Sequence, residues 1–277
     1  MDVITCNVGQ GSLAIVRSSS EAIIIDSNIP PSGKDTVAYV KGIFSKYLAG
    51  YFVRGLIITG FDMDHADATG VGLVLRKYRP DWIMYPKYYK DTEEASAVFS
   101  IVDEEEKSRA NTASPLRRIS VRVDKVESRQ LSNLSNVFGF ELFSPHIEDM
   151  DSSNNSSIVV RITGKGIGSF SYLVTGDTEY ERWETISRLF GSYLKSDVLA
   201  APHHGSKNGV HPKALLSISP NTVLISAGVD NQYGHPDSQA VQAYSRVASQ
   251  VYSTNVKGGV SLLTTLQVNG SFITTLF

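Results

Sequence analysis

The stretch Leu56-Ile57-Ile58-Thr59-Gly60-Phe61-Asp62-Met63-Asp64-His65 constrains this chain more than any other. Its apolar, β-branched opening reads as a buried strand, and the loop after it brings two carboxylates and an imidazole into four positions. A loop at a rigid strand end can point all three at one centre, and Asp with neutral His is a donor set for Zn²⁺, Mn²⁺ or Fe²⁺. The competing interpretation is a solvated acidic loop with one surface histidine. The rest of the chain has to decide between the two.

The rest of the chain repeats the arrangement. Val3 to Val8, Ser12 to Arg17 and Ala22 to Asp26 predict an antiparallel opening of three short strands, separated by Gly9-Gln10-Gly11 and Ser18-Ser19-Ser20. From Lys34 to Ala49, Val37, Val40, Phe44, Tyr47 and Leu48 recur at helical spacing, and Gly50 follows at the place of a C-terminal cap. Further helices are predicted over Ala66 to Tyr78, Thr92 to Arg109 and Glu179 to Phe190, with Trp82 to Tyr85, Val198 to Ala201 and Val223 to Ser226 as strands. A second β-rich block runs through Ile119 to Val126, Val137 to Ser144, Ser157 to Thr163 and Phe170 to Thr175. The second half thus repeats the order of the first. With no Pro/Ser/Gly linker at the midpoint, the expectation is one domain over residues 1–277 in which each half forms a layer.

Of the six histidines, His65, His203, His204 and His235 follow predicted strands, as do Asp26, Asp62, Asp64 and Asp177, whereas His146 and His211 do not. Ligand sites collect at strand ends because rigid strands hold short loops in place. Singly, a histidine pair reads as a cap or surface feature, and His235 as a turn residue beside proline. Four strand-end motifs together favour a metal site.

Charge and cysteine content narrow the partners. With 26 Lys and Arg against 28 Asp and Glu the formal charge is −2, so there is no broad basic surface and any nucleic acid must be gripped locally. Cys6 is the one cysteine, which excludes an intramolecular disulfide and a cysteine-based zinc finger and suits a reducing, cytoplasmic setting. No run approaches the roughly 18 apolar residues of a membrane span, and no basic-then-apolar leader follows Met1. The expectation is a soluble chain without a membrane segment.

Taken in order, Asn7-Val8-Gly9-Gln10-Gly11, Ile24-Ile25-Asp26, Thr59 through His65, Asn154-Asn155-Ser156-Ser157, Thr175-Gly176-Asp177, His203-His204-Gly205-Ser206 and Tyr233-Gly234-His235-Pro236 resemble the metallo-β-lactamase superfamily. Within it, the chain is most similar to the soluble hydrolase domain of ComEC-type competence DNA-uptake channels. The resemblance implies an α+β fold, an αββα sandwich of two mixed sheets with helices outside, and a dinuclear metal site at one edge. It implies Asp64 and His65 as ligands of the second metal, one of His203 and His204, with His204 favoured, as a further imidazole ligand, Asp177 as the bridge between both metals, and Asp62 as a ligand of the first. With His204 as the ligand, His203 falls to the substrate or to a supporting place behind the ligands, and His235 lies near the leaving group or phosphate. Asp26 would orient the metal loop, and Asn154 or Asn155 stands where other branches carry a further ligand histidine.

Two departures from the family pattern stand out. Gly60 occupies the place of the first histidine, and Ala66-Asp67-Ala68-Thr69-Gly70 is longer than the usual run after the last one. Glycine offers no donor, so the first metal position retains carboxylates without an imidazole. Gly60 also has a purely structural explanation, a left-handed backbone that only glycine adopts freely.

The implied cofactor is one or two divalent ions, Zn²⁺ or Mn²⁺, and the implied chemistry is hydrolysis by a metal-activated water. The expected function is a phosphodiesterase or nuclease, with Asp62, His203 and His235 catalytic and Ser206 and Lys207 contacting substrate, a nucleic acid or small phosphodiester. A hydrolase of an ester or amide is a second reading. The alternative class is a decayed domain that binds nucleic acid or a partner protein.

Overall fold

The computed structural model describes residues 1–30, 36–88, 91–122, 129–146 and 152–277. The chain opens with an antiparallel meander of β1 (Asp2–Thr5), β2 (Ala14–Ser18) and β3 (Glu21–Ile25). Side chains alternate across a strand, so Ala22 and Ile24 of β3 face one way and Ile23 and Ile25 the other, and all four are buried. A strand buried on both faces needs cover on both. Helices supply one cover and a second sheet the other.

Next come α1 (Thr36–Tyr47), β4 (Phe52–Ile57), α2 (Ala68–Leu73), β5 (Trp82–Pro86), α3 (Glu93–Arg109) and β6 (Arg117–Val121), with β3 to β6 parallel. The chain then crosses to β7 (Arg129–Leu131), β8 (Phe138–Ser144), β9 (Val159–Gly164) and β10 (Ser171–Val174), an antiparallel run. A parallel run follows through α4 (Tyr180–Phe190), β11 (Val198–Ala200), α5 (Pro212–Ile218), β12 (Thr222–Ile225), α6 (Ser238–Val247) and β13 (Gln250–Ser253). The hairpin β14 (Leu262–Leu266) and β15 (Phe272–Leu276) comes last.

Among the described residues the two sheets have strand orders β15-β14-β1-β2-β3-β4-β5-β6 and β13-β12-β11-β10-β9-β8-β7. Val16, Ile23, Ile25 and Met84 of the first meet Phe140, Ile162, Tyr172 and Leu224 of the second in a central core. On the outer side of the first sheet, Phe44, Val71 and Val98 from α1, α2 and α3 pack on Ile15, Ile24 and Leu56. Outside the second, Trp183, Leu215 and Tyr244 from α4, α5 and α6 pack on Leu173, Leu199 and Val223. The result is the expected αββα sandwich of two mixed sheets.

Three details differ from the sequence reading. β6, grouped above with the second block, pairs in parallel with β5 and closes the first sheet, and the 123–126 part of that predicted strand lies outside the described residues. The predicted helix from Lys34 likewise begins outside them. The predicted helix Ala66 to Tyr78 divides into α2 and a wider π-turn over Val74–Tyr78. Finally, the halves do not map one to one onto layers, because β14 returns to pair with β1.

The strands β3 and β4, and likewise β10, β11 and β12, run in parallel, so their C-terminal loops leave at a common edge of each sheet. Polar ties stitch those edges together: Ile158 N–H donates to Thr59 O at 2.8 Å, and Ser226 Oγ to Gly11 O at 2.7 Å. At the other end of β4, Gly55 lies beside Trp82, whose indole donates to Leu134 O at 2.8 Å. A Cβ on Gly55 would fall 2.2 Å from the Trp82 ring. Overpacking of this kind costs about 1–3 kcal/mol. Gly55→Ala should therefore lower unfolding stability by that amount in a urea titration, while Gly139→Ala, whose Cβ would meet only Thr163 O at 3.8 Å, should change it little.

Candidate metal centre

The loop after β4 is a tight turn in which the N–H groups of His65 and Ala66 both donate to Asp62 O at 2.9 Å. Its backbone is anchored from the neighbouring loops, with Ser12 N–H donating to Asp64 O at 2.8 Å and Ser27 N–H to His65 O at 2.9 Å. Asp26, at the end of β3, has a left-handed backbone (φ 56°) and a carboxylate that is 1% exposed. That carboxylate accepts the N–H of Thr59 at 2.7 Å and its hydroxyl at 2.8 Å, and Oδ2 lies 2.8 Å from His65 Nδ1. A non-glycine residue is uncommon in this region, so the packing must hold it there.

The loop after β11 carries the same kind of strain. His203 and His204 are both left-handed, with φ 48° and 53°, and the turn is tied down by His203 N–H donating to Gly176 O at 3.0 Å. This turn aims the two rings differently. His204 Nδ1 lies 2.9 Å from Ser226 O, and its Nε2 lies 3.3 Å from Asp64 Oδ2 and 3.5 Å from Asp177 Oδ1. His203 instead sets Nδ1 3.2 Å from Glu179 Oε1 and Nε2 4.0 Å from Asp177 Oδ2.

Among the described residues, Asp64, His65, Asp177 and His204 offer one donor atom each, all within 4.8 Å of one another. With an oxygen facing each Nδ1, the proton of both neutral imidazoles sits there and the Nε2 lone pairs turn inward, which is how second partners prepare histidine ligands. His65 Nε2 lies 3.0 Å from Asp177 Oδ1, yet His65 Nε2, His204 Nε2 and Asp177 Oδ1 are all buried without a hydrogen-bond partner of acceptable geometry. Orphaned buried polar atoms are costly. Two nitrogens and two carboxylates converging on one point are the donor set of a divalent ion, and these residues fit one.

Electrostatics point the same way. Burial opposes charge on Asp177, but the imidazoles of His65 and His204 outweigh it and hold the carboxyl far below the usual range. Burial likewise opposes ionisation of Asp64, and the nearby imidazoles of His204 and His65 outweigh it. Burial would depress His65, but Asp177 and Asp26 raise it well above an ordinary imidazole, and Asp177 does the same for His204 against burial. Without an ion, protons on the imidazoles offset the carboxylates. An ion held there would replace those protons.

The centre is open on one side to a cleft of about 170 Å³ lined by Gln10, Asp62, Asn154, His203, Tyr233 and His235. Asp62 accepts a hydrogen bond from the Ser153 hydroxyl. The His235 ring lies 5.7 Å from that of His203 and stacks on Tyr233, and burial followed by the two neighbouring imidazoles lowers its pKa. On the inner side, a cavity of about 30 Å³ is bounded by Asp26, His65, Tyr172, Asp177 and His204, room for one water.

The structure thus gathers Asp64, His65, Asp177 and His204, sets Asp26 behind His65, and lines the cleft with Asp62, His203, His235 and Asn154. Asn155 is used elsewhere, its Oδ1 accepting the N–H of Glu179 at 3.1 Å. Ser206 is spent on its own turn, accepting Asn208 N–H at 3.2 Å, and neither it nor the exposed Lys207 is part of the cleft lining. His211 caps α5 by accepting Ala214 N–H at 3.1 Å, and His146 is buried beside Arg182. Gly60 is not left-handed, and a Cβ there would meet only Ser157 Oγ at 3.9 Å, so the structural explanation for this glycine does not hold. Gln10, Glu179 and Tyr233 escaped the sequence reading. Each lies within a quoted motif or two residues beyond one, which was the available signal.

No family model matches the chain. It is 27% identical over 205 residues to ComE operon protein 3 of Bacillus subtilis (strain 168), covering 74% of this chain and 24% of that protein. It is 25% identical over 256 residues to Recombination protein 2 of Haemophilus influenzae, covering 92% and 28% respectively. Competence protein ComA of Neisseria gonorrhoeae is 34% identical over 103 residues, 37% of this chain and 14% of that one. The chain therefore spans about a quarter of the length of the first two relatives. Among solved structures, Igni18, a metallo hydrolase from the archaeon Ignicoccus hospitalis KIN4/I, aligns over 100% of both chains with a TM-score of 0.53 at 14% identity. The Rm3 metallo-beta-lactamase aligns over 72% of this chain and 77% of its own with a TM-score of 0.41 at 12% identity. The fold is that of the metallo-β-lactamases, and in sequence the chain is similar to ComEC-type competence proteins.

The charge pattern gives a pH dependence. The raised imidazoles of His65 and His204 stabilise the metal-free fold fully below an unfolded value of about 6.5, and lose that contribution as pH rises through their folded values. The depressed Asp64 and Asp177 contribute above about 3.9 and lose it only as pH falls through their lowered values. The melting temperature in EDTA should therefore fall as pH rises above about 6.5, as the imidazoles lose their protons. The increment produced by adding Zn²⁺ or Mn²⁺ should grow over the same range, because the ion no longer competes with protons. Differential scanning calorimetry of both forms reads this.

Proposed function

We propose that this chain is a metal-dependent phosphodiesterase of the nuclease kind that operates with one divalent ion, Zn²⁺ or Mn²⁺. The observation that carries the reading is the set of buried, inward-facing atoms His65 Nε2, His204 Nε2 and Asp177 Oδ1 beside Asp64, left without hydrogen bonds. The same observation favours an enzyme over a decayed binding module.

Asp64, His65, Asp177 and His204 would hold the ion, with Asp26 and Ser226 O fixing the two rings. An ion bound there supplies Lewis acidity and a nucleophilic water near neutral pH. Asp62 faces the cleft from the hydrogen bond with Ser153 and is the base that accepts the water proton. His203, its Nδ1 beside Glu179, directs Nε2 toward the side of Asp177 away from the donor group and contacts the phosphoryl group. His235, kept neutral by its lowered pKa, donates one N–H toward the leaving oxygen. Around the expected first-metal position, Gly60 brings no donor and Asn154 replaces an imidazole. The carboxylates of Asp62 and Asp177 alone are a poor set for Zn²⁺. The names of the relatives, a recombination protein and competence proteins, support DNA as the polymer acted on.

Purified chain should contain about one ion, measured by plasma mass spectrometry, and should cleave an oligonucleotide when Mn²⁺ or Zn²⁺ is supplied. Asp177→Ala should lose both ion and cleavage while the metal-free protein still folds, with a lower melting temperature because the raised imidazoles of His65 and His204 lose their main partner. An Asp177→Ala protein that keeps its ion would sink the assignment. Gly60→His has space for its side chain to begin, and it should raise the ion content above one per chain.

A further inference from the structure

The cleft beside the donor group is unusual for a polyanion site. Its lining brings together the carboxylates of Asp62, Asp64 and Asp177 and, among the described residues, includes neither Lys nor Arg. Proteins that bind nucleic acid mainly through the backbone do so by pairing phosphates with such cations. Here the pull on a phosphodiester must come from the bound ion and from something uncharged. The cleft is also small: about 170 Å³, against roughly 300 Å³ or more for pockets that engulf a small ligand. The reacting phosphate and its nearest atoms fill it. The attached base has to lie at the rim.

Tyr233 stands at that rim. It is 59% exposed, belongs to none of the three hydrophobic cores, and its ring lies nearly parallel to that of His235, with centroids 5.9 Å apart and planes 19° apart. The turn that carries it is rigidly braced. Asn231 Oδ1 accepts the N–H groups of Tyr233 at 3.2 Å and His235 at 3.0 Å, while Asn231 Nδ2 donates to Gly228 O at 2.8 Å and to His235 O. Gly228 N–H in turn donates to Gln10 Oε1 at 3.2 Å, which fixes the turn to the opposite wall of the cleft. A large exposed ring on a pre-organised turn beside a small polar cleft is a stacking platform, and bases stack on such rings with little regard to sequence.

We infer that Tyr233 binds an unpaired nucleobase next to the scissile phosphate, so that the site takes single-stranded nucleic acid; the inference rests on the phosphodiesterase reading. In a duplex both faces of a base are covered by its neighbours, and only an unpaired base offers a free face to the ring. Recognition is then carried by the base and the ion rather than by backbone charge.

The test uses the full chain loaded with Mn²⁺ and two probes of equal length and charge, decathymidylate and an abasic deoxyribose-phosphate decamer. Equilibrium binding and kcat/KM are measured for both. The wild type should prefer decathymidylate by about tenfold in both readouts, a step typical of one aromatic–base stack. Tyr233→Ala should bring that ratio close to one, and Tyr233→Phe should preserve it. Between about 50 and about 200 mM salt the affinity should change by less than tenfold, far below the loss seen when many lysines and arginines pair with phosphates. Equal binding of the two decamers by the wild type, or an unchanged preference in Tyr233→Ala, overturns the inference even if cleavage is found. A preference that depends on Tyr233 without cleavage under any ion would retain the base platform and remove the phosphodiesterase reading instead.

Discussion

A single carboxylate, that of Asp26, holds the working edge of this fold together. It is buried at the end of β3 and takes two hydrogen bonds from Thr59 while facing His65 Nδ1, so one group fixes both the start and the end of the loop that follows β4. A buried anion is tolerated only when it is fully paired. That requirement makes the three loops that meet here mutually dependent: Asp26 needs Thr59 and His65 as partners, and His65 needs Asp26 to turn its Nε2 toward Asp177. The left-handed backbone at Asp26 shows how strongly the surroundings determine its position.

From this anchor the charge balance of the site follows. Among the described residues Asp64 and Asp177 share a largely buried group with the imidazoles of His65 and His204, and Asp62 stands just beyond in the cleft. In the absence of an ion, protons on His65 and His204 offset the carboxylates, which is why the imidazoles are raised and the carboxylates depressed together. The arrangement fits one of exchange, in which a divalent ion would displace protons from a site otherwise held together by them. The two sheets bring this about jointly. Asp64 and His65 come from the first sheet, and Asp177 and His204 come from the second.

A shared sandwich carries little functional information by itself, because many chemistries are grafted onto one fold. The side chains are more specific: a four-donor group with unsatisfied atoms, a cleft lined among the described residues by no Lys or Arg, and an aromatic ring on a braced turn at its rim. The likeness to competence and recombination proteins covers about a quarter of their length. What those longer proteins do with the remainder is a separate matter from what this edge is built to hold.

Much of this was written locally in the chain. The continuous apolar run Ala22 to Ile25 requires a strand buried on both faces, and the placement of Asp26, Asp64, His65, Asp177 and the His203-His204 pair directly after strands marked the edge where they would meet. Other features depended on distant partners. Nothing within Ile119 to Val126 says which sheet a strand will join, since pairing is decided by which edge is free once the others have packed; thus β6 was legible as a strand but its place was not, and the β14–β15 hairpin was not read from the sequence at all. The same holds within the site. Asn154 and Asn155 are neighbours of identical type, and only the tertiary path turns one to the cleft and gives the other to Glu179 N–H. His203 and His204 are likewise separated by backbone dihedrals that the residue types alone do not dictate. Sequence determined which groups stand at strand ends, because periodicity and turn chemistry are local; the folded structure decided which of them face one another, because that depends on how two sheets are brought edge to edge.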